Sequence, residues 1–399
     1  MKTTPAFLIL RCFAMRVCIC LALMSSYTVA STAGVLPARE SSNDGGRWWP
    51  TQAMPKALAR TERERDFPSP RRSYEMLAQS VAGLAAKAVN EGRGDEMVWV
   101  GTDNVDVEDW YARLLRRHPQ LEVRGTFGLW ELIERYARKG LIQGYILYRS
   151  DHSKGEMNQH RQGMDCSVNV ATSLAGLFDA ILVDEGLEGE AQTHGLKRLM
   201  DARDKTQAWC FETYKDQFCR RMVCTQDPRK SSVRDLAIAQ KAFVLYGYDE
   251  PTPTVMKWLE PLSPILGWNG GDERKTTEMS TDWGEIQTAT DWCNNLPVLM
   301  AGAEETEPKK VADFDPRTID WNDTRSAVSF ISTDGDNVQW FEIDFFRHNQ
   351  NFWNSPDRGQ IPFGWSCCFT QLTQLCPEAI DYALATQSPN DSFVESRSR

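Results

Sequence analysis

The 399-residue chain has 11 cysteines but no C-x-x-C pair. That argues against structural zinc, whose thiolate ligands usually come in such close pairs. Histidine is scarce, at positions 118, 152, 160, 194 and 348 only, and none stands in a recognisable triad setting. The strings G-x-S-x-G, H-E-x-x-H and the phosphate loop are absent, so nothing indicates a serine-hydrolase elbow, a zinc protease or a nucleotide cradle. Basic charge is in deficit: 45 Lys and Arg face 55 Asp and Glu, for a net charge of −10. An acidic surface argues against nucleic acid or anionic membrane as partner, since both are held by basic patches. Beyond the N-terminus no apolar run is long enough to span a bilayer.

What is present begins with an export signal. Arg16 precedes the apolar run 17–24 (VCICLALM), and small residues follow, with cleavage expected after Ala30 or Ala33. This is the charged, apolar, small order of a secretory peptide. The run is short for a membrane span; a membrane-anchoring or buried helix is the alternative. Translation from Met15 would make the signal more compact. Residues 1–33 are therefore read as a signal peptide and the chain as secreted. Eight cysteines remain, from Cys166 to Cys376. An oxidising compartment favours disulfides among them, with a connectivity that sequence does not give. Asn322 and Asn390 stand in glycosylation triplets.

Residues 34–75 are rich in Gly, Pro, Ser and charge (RTERERD, PSPRR) and read as an extended leader, pinned to the body by Trp48-Trp49-Pro50. Residues 76–160 alternate helical spacing (74–90, 107–117, 126–139) with apolar strands (97–101, 144–148), which predicts an N-terminal α/β layer domain. Residues 161–310 repeat the theme as a second α/β region with room for two subdomains. Helices are predicted at 168–177, 193–201, 211–216, 233–240 and 254–259. Strands are predicted at 180–183, 242–246, 265–268 and 295–300, the last with Pro297 suggesting an edge position. The acidic stretch 303–310 reads as a linker. Residues 320–399 form the third block. A strand at 327–332, a helix at 338–349, a strand at 361–369 and a helix opened by Pro377 are two βα units in a row. The polar end PNDSFVESRSR is expected to complete no sheet. The fold class is α/β: N-terminal α/β layer domains, then the opening βα units of an incomplete TIM-like barrel.

Several unusual strings occur in order: KGLIQGYILYRSD with SVNVATSLAGL, YGYDEPTPTVMKWLEPLSPILGW, DWCNNLPVL, VSFISTDGDNVQW and FWNSPDRGQIPFGWSCCFTQLTQLCPEAIDYALATQSPNDSFVES. With Glu273, Ser280 and Gly284 they resemble the GxGYxYP putative glycoside hydrolase family, from about residue 95 to residue 396. The resemblance implies N-terminal α/β domains, a C-terminal TIM-like barrel and a role in sugar processing. The family's GxGYxYP signature is expected directly after PNDSFVES, where Arg397-Ser398-Arg399 stands instead; the barrel is therefore expected to be truncated.

The strongest local signal for chemistry is Asp334-Gly335-Asp336-Asn337, directly after a predicted strand. Strand C-terminal ends build the active sites of βα barrels. Gly335 permits a sharp turn and close approach to a ligand. In extended backbone Asp334 and Asp336 project to one side, and neighbouring carboxylates can divide into acid and base. Glycosidic hydrolysis uses carboxyl pairs about 5 Å or about 6.5–9.5 Å apart. Residues two apart lie closer than the wider spacing, so one of them pairs with a distant carboxylate, or both bind a hydroxyl or cation. The competing reading is an Asx-type turn capping the next helix. A calcium loop fails at Val338.

Asp334 and Asp336 are thus the catalytic candidates. Asn337, Trp340, Trp268, Glu273, Asp291, Trp292, Asn295 and Trp365 are the substrate-binding candidates, as aromatic platforms and hydroxyl partners for sugar. Glu342 and Asp344 are expected in solvent on the following helix, and Asp184-Glu185 ranks as a weaker strand-end site. No cofactor or metal is expected, and the expected partner is a carbohydrate. The alternative function is a non-catalytic carbohydrate-binding or truncated inactive family member.

Overall fold

The runs 97–100 (MVWV), 145–148 (YILY) and 180–183 (AILV) are apolar without alternation, the pattern of strands covered on both faces. A computed structural model of the chain describes residues 49–154, 163–271, 273–303 and 316–395. The expected signal peptide, the leader up to residue 48, Asp272 and linker residues 304–310 lie outside these residues. The described strands form four sheets in which every named pair is parallel. Helices connect them, as parallel pairing requires. The chain is a mixed α/β protein built of alternating βα units.

The first sheet has the order β2-β1-β3, with β1 (Ala57–Arg63), α1 (Arg71–Asn90), β2 (Glu96–Gly101), α2 (Val105–Arg117), β3 (Glu122–Phe127) and α3 (Leu129–Arg138). Its central strand is a correction: β1 falls inside the expected leader. Ala57, Leu58 and Ala59 are wholly buried, a short apolar core hidden in composition by its charged flanks. Trp49 is buried too. The helix expected at 126–139 is α3; only its first two residues belong instead to the end of β3, an unexpected strand. Strand β3 is an exposed edge and so carries no apolar signature.

The second sheet, β5-β4-β6, is built from β4 (Gly144–Tyr148), α4 (Ser167–Phe178), β5 (Ala180–Asp184), α5 (Glu188–Thr193) and β6 (Arg198–Asp201), with α6 (Gln207–Tyr214) beyond. The helix expected at 193–201 is instead the end of α5 and edge strand β6, parted by Gly195 at φ +75°. Helix α1 is buried along most of its length and packs on both sheets and on a later helix, α7 (Arg234–Ala239). At Gly83 an added Cβ would lie 2.6 Å from the Asp235 carbonyl oxygen and 2.7 Å from the Ile238 Cβ. The crossing of α1 and α7 therefore depends on that glycine.

The third sheet, β10-β9-β7-β8, holds β7 (Val223–Thr225), α7 (Arg234–Ala239), β8 (Phe243–Leu245), α8 (Thr252–Trp258), β9 (Pro264–Gly267), α9 (Glu273–Trp283) and β10 (Ile286–Thr288), then α10 (Leu296–Ala301). The strand expected at 295–300 is helix α10. Pro297 sits in its first turn, where a missing N–H leaves nothing unsatisfied.

The C-terminal block contains α11 (Val338–Ile343), β11 (Phe363–Cys367), α12 (Phe369–Leu375), α13 (Pro377–Thr386) and β12 (Asp391–Glu395). Strand β12, in the segment expected to complete no sheet, pairs in parallel with β11. Asp391 ties it in: its carboxylate accepts from Arg358 at 2.5 Å and from the Trp365 indole at 2.9 Å. Of the strand expected at 327–332, only Ile331 forms a bridge, to Gly364 on β11, and Val328 and Phe330 are exposed.

The expected helix 338–349 stops at Ile343, because two later N–H groups are taken elsewhere. The Asp106 carboxylate accepts from the Arg347 N–H at 2.8 Å and the His348 N–H at 3.3 Å. Trp110 and Asn104 of the first region also donate to this segment, to the carbonyls of Glu342 and Ile343 at 2.8 and 2.7 Å. A single apolar core runs from Trp99 and Trp110 through Phe341, Phe345 and Trp353 to Trp365. All eight cysteines from Cys166 to Cys376 are free thiols, six of them buried. The expected disulfides are not formed, and these thiols pack as small apolar groups. Among the described residues no helix is long and apolar enough to cross a membrane.

Candidate functional site

Ligands of parallel α/β sheets bind beyond the carboxyl ends of the strands. At that edge of the third sheet, β9 leads into Trp268 and β10 into Ala289 and Asp291. The Thr290 hydroxyl accepts the Gly267 N–H at 2.7 Å and joins the two strand ends. Facing them is the loop after Ile331. Together they line a cleft of about 270 Å³ walled by Trp268, Glu273, Ala289, Asp291, Asp334, Asp336, Asn337 and Gln339. Six of the sequence candidates thus meet in one concavity, although they span residues 268 to 337.

The loop geometry explains its composition. Asp334 takes a left-handed φ of +69°, which aspartate tolerates better than most residues. At Gly335 an added Cβ would sit 2.1 Å from the Ser366 carbonyl carbon and oxygen. The glycine is required for close approach to strand β11, not for approach to a ligand. Asn337 caps α11, its side-chain oxygen accepting the Trp340 N–H at 3.4 Å. The capping reading of the loop is therefore correct for Asn337, which also lines the cleft.

Burial pushes the Asp336 carboxyl up from its ordinary value. Its own backbone N–H opposes the shift and the Asp334 carboxylate adds to it. Asp291 is fully buried and ion-paired with Lys230. Burial lowers the Lys230 ammonium pKa, and Asp291 counteracts this. The Lys230 ammonium also lies 3.9 Å from the Trp292 ring centroid. Gln339 joins the walls: its backbone N–H donates to the Ala289 carbonyl at 3.1 Å, and its side-chain oxygen accepts the Trp292 N–H at 2.8 Å. Among the described residues no group of three or more His, Cys, Asp and Glu has metal-holding geometry.

Three expectations fail on placement. Asn295 is buried and hydrogen-bonds both backbone groups of Val100, at 2.6 and 3.0 Å, so it mimics a strand neighbour rather than contacting substrate. Trp365 is buried among Phe363, Phe345 and Trp353. Glu342, expected in solvent, is fully buried beside the Cys293 thiol, and burial pushes its carboxyl up to about 8. Asp184, the weaker candidate, caps the loop after β5 and accepts from Ser150. Trp340 and Trp292 lie outside the cleft and line a larger groove that adjoins it. Sequence holds no signal for Lys230, and marks Gln339 only as a residue that follows the Asp334–Asn337 loop. Their roles appear only on contact with residues 61 and 47 positions away.

A solved structure of a putative hydrolase from Bacteroides thetaiotaomicron is similar to this chain, with 23% identity and a TM-score of 0.70. The match covers 88% of this chain and 65% of that one, and it shows the fold alone. No match to this chain was found among curated proteins. Residues 142–218 match the GxGYxYP_N second domain, residues 220–301 the GxGYxYP third domain, and residues 325–398 the GxGYxYP putative glycoside hydrolase C-terminal domain. With these three domains matched in order over more than half its length, the chain belongs to the GxGYxYP putative glycoside hydrolase family.

Proposed function

We propose that the cleft binds carbohydrate and hydrolyses a glycosidic bond by carboxylate acid/base chemistry. The observation that carries this reading is the convergence of Glu273, Asp291, Asp334 and Asp336 around Trp268 at the carboxyl ends of parallel strands. Asp336 is the general acid: its raised pKa keeps a proton available for the departing oxygen. Asp334 is the partner carboxylate that activates water or attacks the sugar. Trp268 supplies an apolar platform for the ring, Glu273 and Asn337 receive its hydroxyls, and the buried Asp291–Lys230 pair backs the wall.

The test is release of reducing sugar from a panel of polysaccharides and aryl glycosides. Asp336→Asn should cut release by roughly 10²–10⁴-fold while the urea midpoint stays put. Unchanged turnover in that variant would remove Asp336 from the mechanism. Binding without turnover by the unmutated chain would favour the non-catalytic reading. We further propose export, on the strength of Arg16, the apolar run 17–24 and the small residues to Ala33. N-terminal sequencing of protein from the culture medium tests it; a mature start before residue 30, or retention in the cell, would overturn it.

A further inference from the structure

We infer that the groove beside the acidic cleft is a second carbohydrate subsite, so that the molecule engages a chain of sugar units rather than a single one. The inference rests on the carbohydrate reading of the cleft. The groove measures about 730 Å³ and shares Asp334, Asn337 and Gln339 with the cleft, so a ligand seated at Asp336 extends into it without leaving the surface. Its lining changes character, from carboxylates to Trp292, Trp340 and Phe352, with Asp344 and His348 also contributing.

Trp292 is 46% exposed yet held in place. Its backbone is bonded to Gln339 and Lys230 lies against its ring. With the ammonium over one face, the exposed area belongs to the other face and the edge. Trp340 is braced edge-on by Phe345 and Phe352, with centroids at 4.8 and 4.6 Å. A fixed indole open to water beside a polar cleft suits a ligand with a flat apolar face and a hydroxylated rim. A pyranose has both: its C–H face stacks on the ring, and its hydroxyls reach Asp344 and His348.

The experiment is calorimetric titration of Asp336→Asn with gluco-, manno-, galacto- and xylo-oligosaccharides of one to six units. Affinity for the recognised sugar should rise as the second and third units are added. Trp292→Ala in the same background should weaken the longer oligosaccharides by roughly tenfold, more than the monosaccharide, and Trp292→Phe should restore most of that loss. Affinity independent of chain length, or equal weakening at every length, would overturn the subsite. Length-dependent binding by an unmutated chain that turns nothing over would remove hydrolysis and leave the subsite standing.

Discussion

Gln339 reaches from the cleft wall to Trp292, its side-chain oxygen accepting the tryptophan backbone N–H at 2.8 Å. The neighbouring backbone bond to Ala289, at 3.1 Å, makes the contact two-pronged. Through it the loop carrying Asp334 and Asp336 is registered against the loop carrying Asp291. Gln339→Ala removes one prong and leaves the Trp292 N–H without that acceptor. The expected loss is about 1 kcal/mol in urea denaturation, with a larger proportional loss of carbohydrate affinity. Unchanged affinity in a folded variant would show that the walls need no stitch.

As the general acid of the proposed hydrolysis, Asp336 should set the alkaline limb of activity. A general acid works in its protonated form, and burial raises this carboxyl above its ordinary value. Activity should therefore fall as pH rises through the raised pKa. Asp336→Asn should lower kcat by roughly 10²–10⁴-fold and erase that limb from what remains. Persistence of the same limb in the variant would assign it to another group.

Glu342 makes the fold pH-sensitive independently of the cleft. Its carboxyl is fully buried, and its pKa rises from an unfolded value of about 4.5 to about 8. The folded state thus binds this proton more tightly than the unfolded one. The stability it contributes is complete below about pH 4.5 and is lost progressively as pH climbs toward 8. Glu342→Gln should leave stability at pH 4 nearly unchanged and raise it at pH 8, by on the order of a few kcal/mol. Parallel stability–pH curves for variant and parent would refute this.

Asp106 anchors the C-terminal block to the first region by accepting the N–H groups of Arg347 and His348. Asp106→Ala strands two donors and should destabilise the chain by about 1–3 kcal/mol. Amide exchange should accelerate first at residues 344–349. Uniform acceleration over the whole chain would mean that the anchor is not local.

Gly335→Ala places a methyl group 2.1 Å from the Ser366 backbone. The loop must shift, and carbohydrate binding should fall further than for Asp334→Ala at comparable expression. Equal binding by Gly335→Ala and the parent would contradict the close approach.

The buried strands β2, β4 and β5 were legible because each reads as an unbroken apolar run. The exposed edges β3 and β6 were not, since a strand with two wet faces has no hydrophobic period. Pro297 misled for a similar reason: it is compatible with a strand edge and with a helix start, and only packing separates the two. The Asp334–Asn337 loop was found as a motif of short, turn-forming acids after an apolar run. Asn295 and Trp365 had the right chemistry for sugar but face the interior, which no local pattern reveals.

Residue order alone dictated the α/β alternation, the acidic character and the family, because periodicity, charge and ordered strings are local properties of a chain. Contact across long separations decided the rest. It made β1 a central strand, ended α11 at Ile343, buried Glu342 and gathered six candidates between Trp268 and Asn337 into one cleft. Those outcomes depend on which groups meet and which lose water, and both are settled only when the sheets pack.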